Sequence, residues 1–147
     1  MTARKTRQES GEAVLATIKD HPDGIRRVDM AQDSDLDLTP GQIGNGVVWV
    51  REVGAAREGL PFTSTRGIGY RFSDDPDEWA VYERQEMRRC LTTLIRLTRG
   101  TLDPHLQRAP QDTFARMLSS QLTGMISTFE YVLAPEPTPP HLTHTPA

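Results

Sequence analysis

Residues 36–72 read LDLTPGQIGNGVVWVREVGAAREGLPFTSTRGIGYRF, a stretch that divides into a helix and a hairpin. Thr39 stands where a helix N-cap belongs. Pro40 takes the first helical position, where a missing N–H forfeits no intrahelical bond. Ile43, Val47 and Val50 follow at i, i+4 and i+7 on one helical face, and Gln42, Asn45 and Trp49 fall on another. The spacing predicts a helix from Thr39 or Pro40 to about Ala56. Gly41, Gly44, Gly46 and Gly54 lie within it, and each interior glycine costs about 0.5–1 kcal/mol relative to alanine. Tertiary packing must therefore hold this helix. Its glycines serve either close helix packing or close approach of the backbone to a DNA groove. Beyond Gly59, residues 62–66 and 69–73 are strand-like, and Gly67 and Gly69 supply a tight connection. Phe62, Tyr70 and Phe72 are expected to cover the core, with Thr63, Thr65 and Arg71 alternating outward and Arg66 at or near the tip.

Upstream, residues 1–9 read as a basic arm carrying Arg4, Lys5 and Arg7. Thr6 with Glu9 forms a capping-box pattern, and Ser10 is a second candidate start. Val14, Leu15 and Ile18 mark one apolar helical face as far as Lys19, and His21-Pro22-Asp23-Gly24 stops it. Ile25 begins a short strand. A second helix, opened by Arg26 and Arg27, runs from Val28 to Gln32 or Ser34. Asp33, Asp35 and Asp37 then fall in a turn and before the next helix, where negative charge suits the helix dipole.

The segment GLPFTSTRGIGYRF resembles the wing of winged helix-turn-helix transcriptional regulators. It is similar to the OmpR/PhoB effector domains, whose wing often reads RGxGYRF, and to biotin-repressor-like domains with a GLPI…GYRL hairpin. The match is carried by Arg66-Gly67-Ile68-Gly69-Tyr70-Arg71-Phe72, while the helices upstream agree in pattern. The resemblance covers residues 11–73, about half the chain, and holds no receiver domain. It implies a DNA-binding module in residues 10–73, not phosphorelay control.

After the acidic residues 73–76 the character changes. Trp79, Tyr82, Met87, Leu91, Leu94, Ile95 and Thr98 recur at helical spacing. Asp77 and Glu78 suit the start of this helix, Arg96 and Arg99 its end, and Gly100 a stop. Such a helix of about 22 residues is roughly 33 Å long. Residues 101–109 read as a loop. Phe114, Met117, Leu118, Leu122, Met125, Ile126, Phe129 and Leu133 then form a strongly amphipathic helix. Residues 77–133 are thus an antiparallel helical hairpin, and 134–147 a proline-rich tail expected to be disordered. The whole is mainly α with a small β-hairpin. Two helices alone bury their apolar stripes poorly, so Leu91, Leu94, Phe114, Leu118, Leu122, Met125 and Phe129 are expected to form a homodimer interface. The alternative is a monomer in which the second helix folds back on the first domain.

Net charge is −3 over 147 residues. Residues 1–72 carry ten Lys/Arg and ten Asp/Glu, and 73–147 carry seven and ten. That balance argues against strong sequence-blind DNA binding, but the cations of the first part are clustered. One cysteine, Cys90, cannot form an internal disulfide, which points to a reducing cytoplasm. The basic start has no apolar run behind it, so no secretory signal is expected, and nothing approaches a membrane span. His21, His105, His141 and His144 lack metal-ligand spacing, and residues 41–46 lack the Lys-Ser/Thr of a phosphate loop. No catalytic residue, metal or cofactor is expected.

The sequence thus predicts a dimeric, sequence-specific regulator on double-stranded DNA in the cytoplasm, at the nucleoid. Gln42 and Asn45 carry amides suited to adenine, Thr39 a phosphate-bonding hydroxyl, and Trp49 either a ring for sugar or a thymine methyl or a partly buried aromatic. Arg66 and Arg71 on the wing, Arg26 and Arg27 before the second helix, and Arg4, Lys5 and Arg7 on the arm complete the candidate interface. The alternatives are a winged-helix module that binds a protein partner, or a DNA binder serving plasmid or phage replication, partition or nucleoid architecture.

Overall fold

The computed structural model describes residues 5–135. Arg4 and residues 136–147 of the proline-rich tail lie outside them. The chain forms two compact units that meet between Glu83 and Arg84. Among the described residues it is mostly helical, with one two-stranded antiparallel sheet.

In the first unit, α1 (Arg7–Asp20) starts from a full capping box. The Thr6 hydroxyl accepts from the Glu9 amide at 3.2 Å, and the Glu9 carboxylate accepts from the Thr6 amide at 2.7 Å. After α2 (Arg27–Gln32), α3 (Pro40–Trp49) opens on a second box. Here Thr39 accepts from the Gln42 amide at 3.3 Å, and the Gln42 side-chain oxygen accepts from the Thr39 amide at 2.8 Å. The helical path continues through a π turn, Val50–Gly54, into α4 (Ala55–Glu58), and ends at Gly59. β1 (Phe62–Thr65) and β2 (Gly69–Phe72) pair from Phe62↔Phe72 to Thr65↔Gly69. Ile25 adds a bridge to Tyr70, with N···O distances of 3.0 and 2.9 Å.

The core gathers Val14, Leu15, Ile18, Ile25, Met30, Leu36, Ile43, Val47, Trp49 and Val50, flanked by Phe62, Tyr70 and Phe72. Close approach of α1 and α3 rests on missing side chains. A Cβ at Gly46 would lie 2.6 Å from Val14 Cγ2 and 2.8 Å from the Ser10 carbonyl oxygen, and one at Gly11 would enter the Trp49 ring. Gly46 and Gly54 therefore serve packing, whereas a Cβ at Gly41 would meet only the Thr39 hydroxyl, at 4.0 Å. Thr63 departs from the expected alternation: it is buried, not outward. Its hydroxyl donates to the Arg71 carbonyl at 3.4 Å, so burial leaves no polar atom unsatisfied.

α5 (Pro76–Leu97) begins in this unit. Trp79 Nε1 donates to the Ser73 carbonyl at 2.7 Å, Arg71 pairs with Glu78, and Tyr82 meets the Phe62 ring edge-on at 6.2 Å.

In the second unit, Gly100 does not stop the helix. α5 passes through a π turn, Thr98–Leu102, into α6 (Asp103–Arg108), so the expected loop 101–109 is helical almost to its end. The π turn accommodates Pro104, whose missing N–H and ring would break a regular α-helix. The true turn precedes α7 (Thr113–Leu133), which Asp112 caps by accepting from the Ala115 amide at 2.7 Å. α7 runs back to bury Leu102, Ala115 and Leu122, with Leu94, Leu106 and Leu118 packed around them. No helix of the described residues is long and apolar enough to cross a membrane.

Surface ion pairs tie the first unit together, and their carboxylates set its acid response. Arg57 grips Glu12 with two bonds of 2.6 and 2.9 Å, and Lys19 bonds Glu58 at 3.1 Å. The Arg57 guanidinium holds Glu12 below the ordinary 4.5, and Lys19 does the same for Glu58. The Thr6 amide and hydroxyl lower Glu9. A carboxylate lowered on folding stabilises above its unfolded pKa and loses that contribution as pH falls through the folded value. The melting temperature is therefore expected to hold from pH 7 to about 5 and to fall below about 4.5. Thermal melts across that range check this, and a flat profile down to pH 3 contradicts it. Glu12→Gln reduces the drop.

Candidate nucleic-acid interface

The second and third helices and the hairpin are the elements expected to present the binding side chains. At about 100° per residue, a core direction set by Ile43, Val47 and Val50 leaves Gly41, Asn45, Val48 and Glu52 facing away from it. The observed exposure agrees: all four are open to solvent. Gln42 and Trp49 lie on the flank of the helix, and their fates differ from expectation.

Trp49 is the main correction. It is 8% exposed, its ring against Gly11 and under the Arg57 guanidinium at 5.3 Å. It belongs to the core and has no surface to offer a sugar or a methyl group. Its neighbour Val48, 42% exposed, holds the outward apolar position instead. The helical register alone gave no such signal, because Trp49 lies about 200° from Val47; its burial follows from the room that Gly11 of α1 leaves for the ring. Gln42 is half-buried, with its side-chain oxygen committed to the capping box. Only its NH2 group is open for donation. Asn45 is exposed, and its side chain has no hydrogen bond within the described residues. Thr39 is exposed at the N-cap.

Most of the expected phosphate-binding cations are engaged within the protein. Lys5 donates to the carbonyls of Asp37 at 3.1 Å and Leu36 at 3.4 Å, which fixes the turn where Asp37 takes φ +46°. Arg7 is not on an arm: it opens α1 and pairs with Glu52 of the π turn. Arg26 forms a fork with Asp29 at 2.8 and 2.9 Å, which lowers the Asp29 carboxyl. Arg27 donates to the Pro40 carbonyl at 2.9 Å and lies over Gly44, pinning α2 to the start of α3. Arg71 is committed to Glu78, whose carboxyl is lowered by the Ser73 hydroxyl and then by Arg71. Arg66, at the hairpin turn between Thr65 and Gly67, is exposed and has no ion pair among the described residues. Arg4 lies outside them.

The residues expected at a dimer interface divide. Leu94, Leu118 and Leu122 pack inside the chain, and Leu122, only 4% exposed, is unavailable to a partner. Leu91 and Phe129 are half-buried, while Phe114 and Met125 are 64% and 48% exposed. Among the described residues no group of three or more His, Cys, Asp or Glu is placed to hold a metal.

No family model, curated protein or solved structure gives a significant match to this chain.

Proposed function

We propose that this protein is a winged helix-turn-helix binder of double-stranded DNA, a transcriptional regulator acting at the nucleoid. The observation that carries the reading is the outward strip of α3. Gly41, Asn45 and Val48 stand clear of the core, on a helix whose first turn is held by Thr39, Gln42 and Arg27. Small residues let a helix backbone enter the major groove. The Asn45 amide matches adenine N6 and N7, and Val48 suits a thymine methyl. Thr39 and the Gln42 NH2 face phosphate and base edges near the helix start. The hairpin is the wing, and Arg66 its minor-groove or backbone contact. Exposed Phe114 and Met125, with Leu91 and Phe129, form the contact with a second copy, giving two reading heads and paired half-sites.

Arg66→Ala is expected to weaken duplex binding and to lower the slope of log K against log salt by about 0.9, the share of one phosphate contact. Anisotropy titrations at several salt concentrations measure both. Unchanged affinity and slope remove the wing from the mechanism.

One observation favours a second reading. Lys5, Arg7, Arg26 and Arg71 are each neutralised by a carboxylate of the same chain, which suits a winged helix that docks a protein instead of DNA. Under that reading the protein retains no duplex at physiological salt.

A further inference from the structure

Residues 87–102 carry four arginines and no carboxylate, in a chain of net charge −3. All four, Arg88, Arg89, Arg96 and Arg99, are exposed. At about 100° per residue they fall within an arc of about 100°, on the side of α5 opposite Met87, Leu91 and Leu94. Arg89 pairs with Glu86, while Arg88, Arg96 and Arg99 have no ion pair among the described residues. Arg88, Arg89, Thr92, Thr93 and Arg96 line an open hollow of about 320 Å³. Both threonine hydroxyls are drawn back onto the helix, donating to the carbonyls of Arg88 at 2.9 Å and Arg89 at 3.0 Å. The rim between the guanidinium groups is therefore low.

A helix end at Gly100 would account for Arg96 and Arg99 through the dipole. The helical path instead continues to Arg108, so that account fails and both sit in mid-helix. Like charges repeated along one helical face destabilise the helix that bears them.

We infer that this face of α5 is a second, sequence-independent contact with the phosphate backbone of double-stranded DNA, an inference that rests on the proposed function. The complementarity is one of charge and length. Arg88 to Arg99 spans eleven residues, about 16 Å of helix, and duplex DNA presents one negative charge per about 1.7 Å of its axis. Guanidinium forks bind phosphate oxygens in pairs, and they do so without reading sequence. The contact compensates for the cations that the first unit keeps in internal ion pairs.

The test uses the full chain and two duplexes of equal length, one carrying a preferred site and one scrambled. Arg88→Gln/Arg96→Gln/Arg99→Gln is compared with wild type by anisotropy across a salt series. Glutamine matches arginine closely in helix propensity, and circular dichroism verifies unchanged helix content. The expected result is a salt slope smaller by about 2–3 and an equal fold-loss of affinity for both duplexes. If wild type binds and the triple variant keeps its slope, the α5 contact is wrong and the proposed function stands. A loss confined to the preferred duplex also overturns it. If wild type binds neither duplex, the proposed function fails, and this contact with it.

Discussion

Gly46→Val is expected to destabilise the first unit by about 3 kcal/mol, a large part of the roughly 5–15 kcal/mol that holds a domain of ordinary stability. The added Cβ alone would stand 2.6 Å from Val14 Cγ2 and 2.8 Å from the Ser10 carbonyl oxygen. The first of these is a side chain that can give way. The second is α1 backbone, so α1 and α3 must move apart. That separation also loosens Trp49 from Gly11 and uncovers Ile43 and Val50, both fully buried. Valine gains only a few tenths of a kcal/mol in helix propensity over glycine, too little to offset the overpacking. Urea unfolding followed by tryptophan fluorescence reads the loss. Gly124→Ala supplies the opposite sign, because a Cβ there meets nothing within 4 Å, and about 0.5–1 kcal/mol of gain is expected in α7. An unchanged midpoint for Gly46→Val would show that the α1–α3 contact yields easily.

Leu122→Asp is expected to abolish the fold of the second unit. Among the described residues only Leu102, Ala115 and Leu122 are buried there, with Leu94, Leu106 and Leu118 around them. A carboxylate in so small a core costs several kcal/mol whether it stays charged or takes up a proton. The contrast with Met125→Asp separates two roles within one helix. Met125 is 48% exposed, so its replacement leaves the chain folded. If a second copy covers that face, Met125→Asp also yields monomers. Light scattering and circular dichroism on both variants decide the matter. A folded Leu122→Asp protein would contradict the intrachain core. A wild type that is monomeric at every concentration would remove the dimer.

The first unit was legible from local signals. Thr6 with Glu9, and Thr39 before Pro40, mark the helix starts that the hydrogen bonds realise, and Gly67 and Gly69 mark the hairpin. Trp49 and Thr63 were misplaced because polarity and size were read without the three-dimensional partner. A large ring finds a home when a glycine on the opposing helix leaves room, and a threonine can be buried once its hydroxyl is satisfied. Pairing across the fold was invisible too. Arg7 with Glu52 and Lys5 with Asp37 are separated by more than thirty residues, and no local rule joins them. Gly100 read as a stop and residues 101–109 as a loop, yet a π turn carries the helix past Gly100 into α6, and this moves the end of the helix and the meaning of Arg96 and Arg99. In the candidate interface, Asn45, Thr39 and Arg66 keep the exposure that binding requires, while Val48 takes the outward position expected of Trp49.

Retention of genomic DNA fragments by the purified protein at near-physiological salt, with sequencing of what is kept, decides whether α3 reads DNA sequence. A small set of sharply enriched fragments containing two-fold-related half-sites is expected, lost when Asn45 is replaced by alanine. Broad retention without preferred sites would contradict sequence-specific reading by α3. No retention at all would contradict DNA binding itself and leave the protein-docking reading in its place.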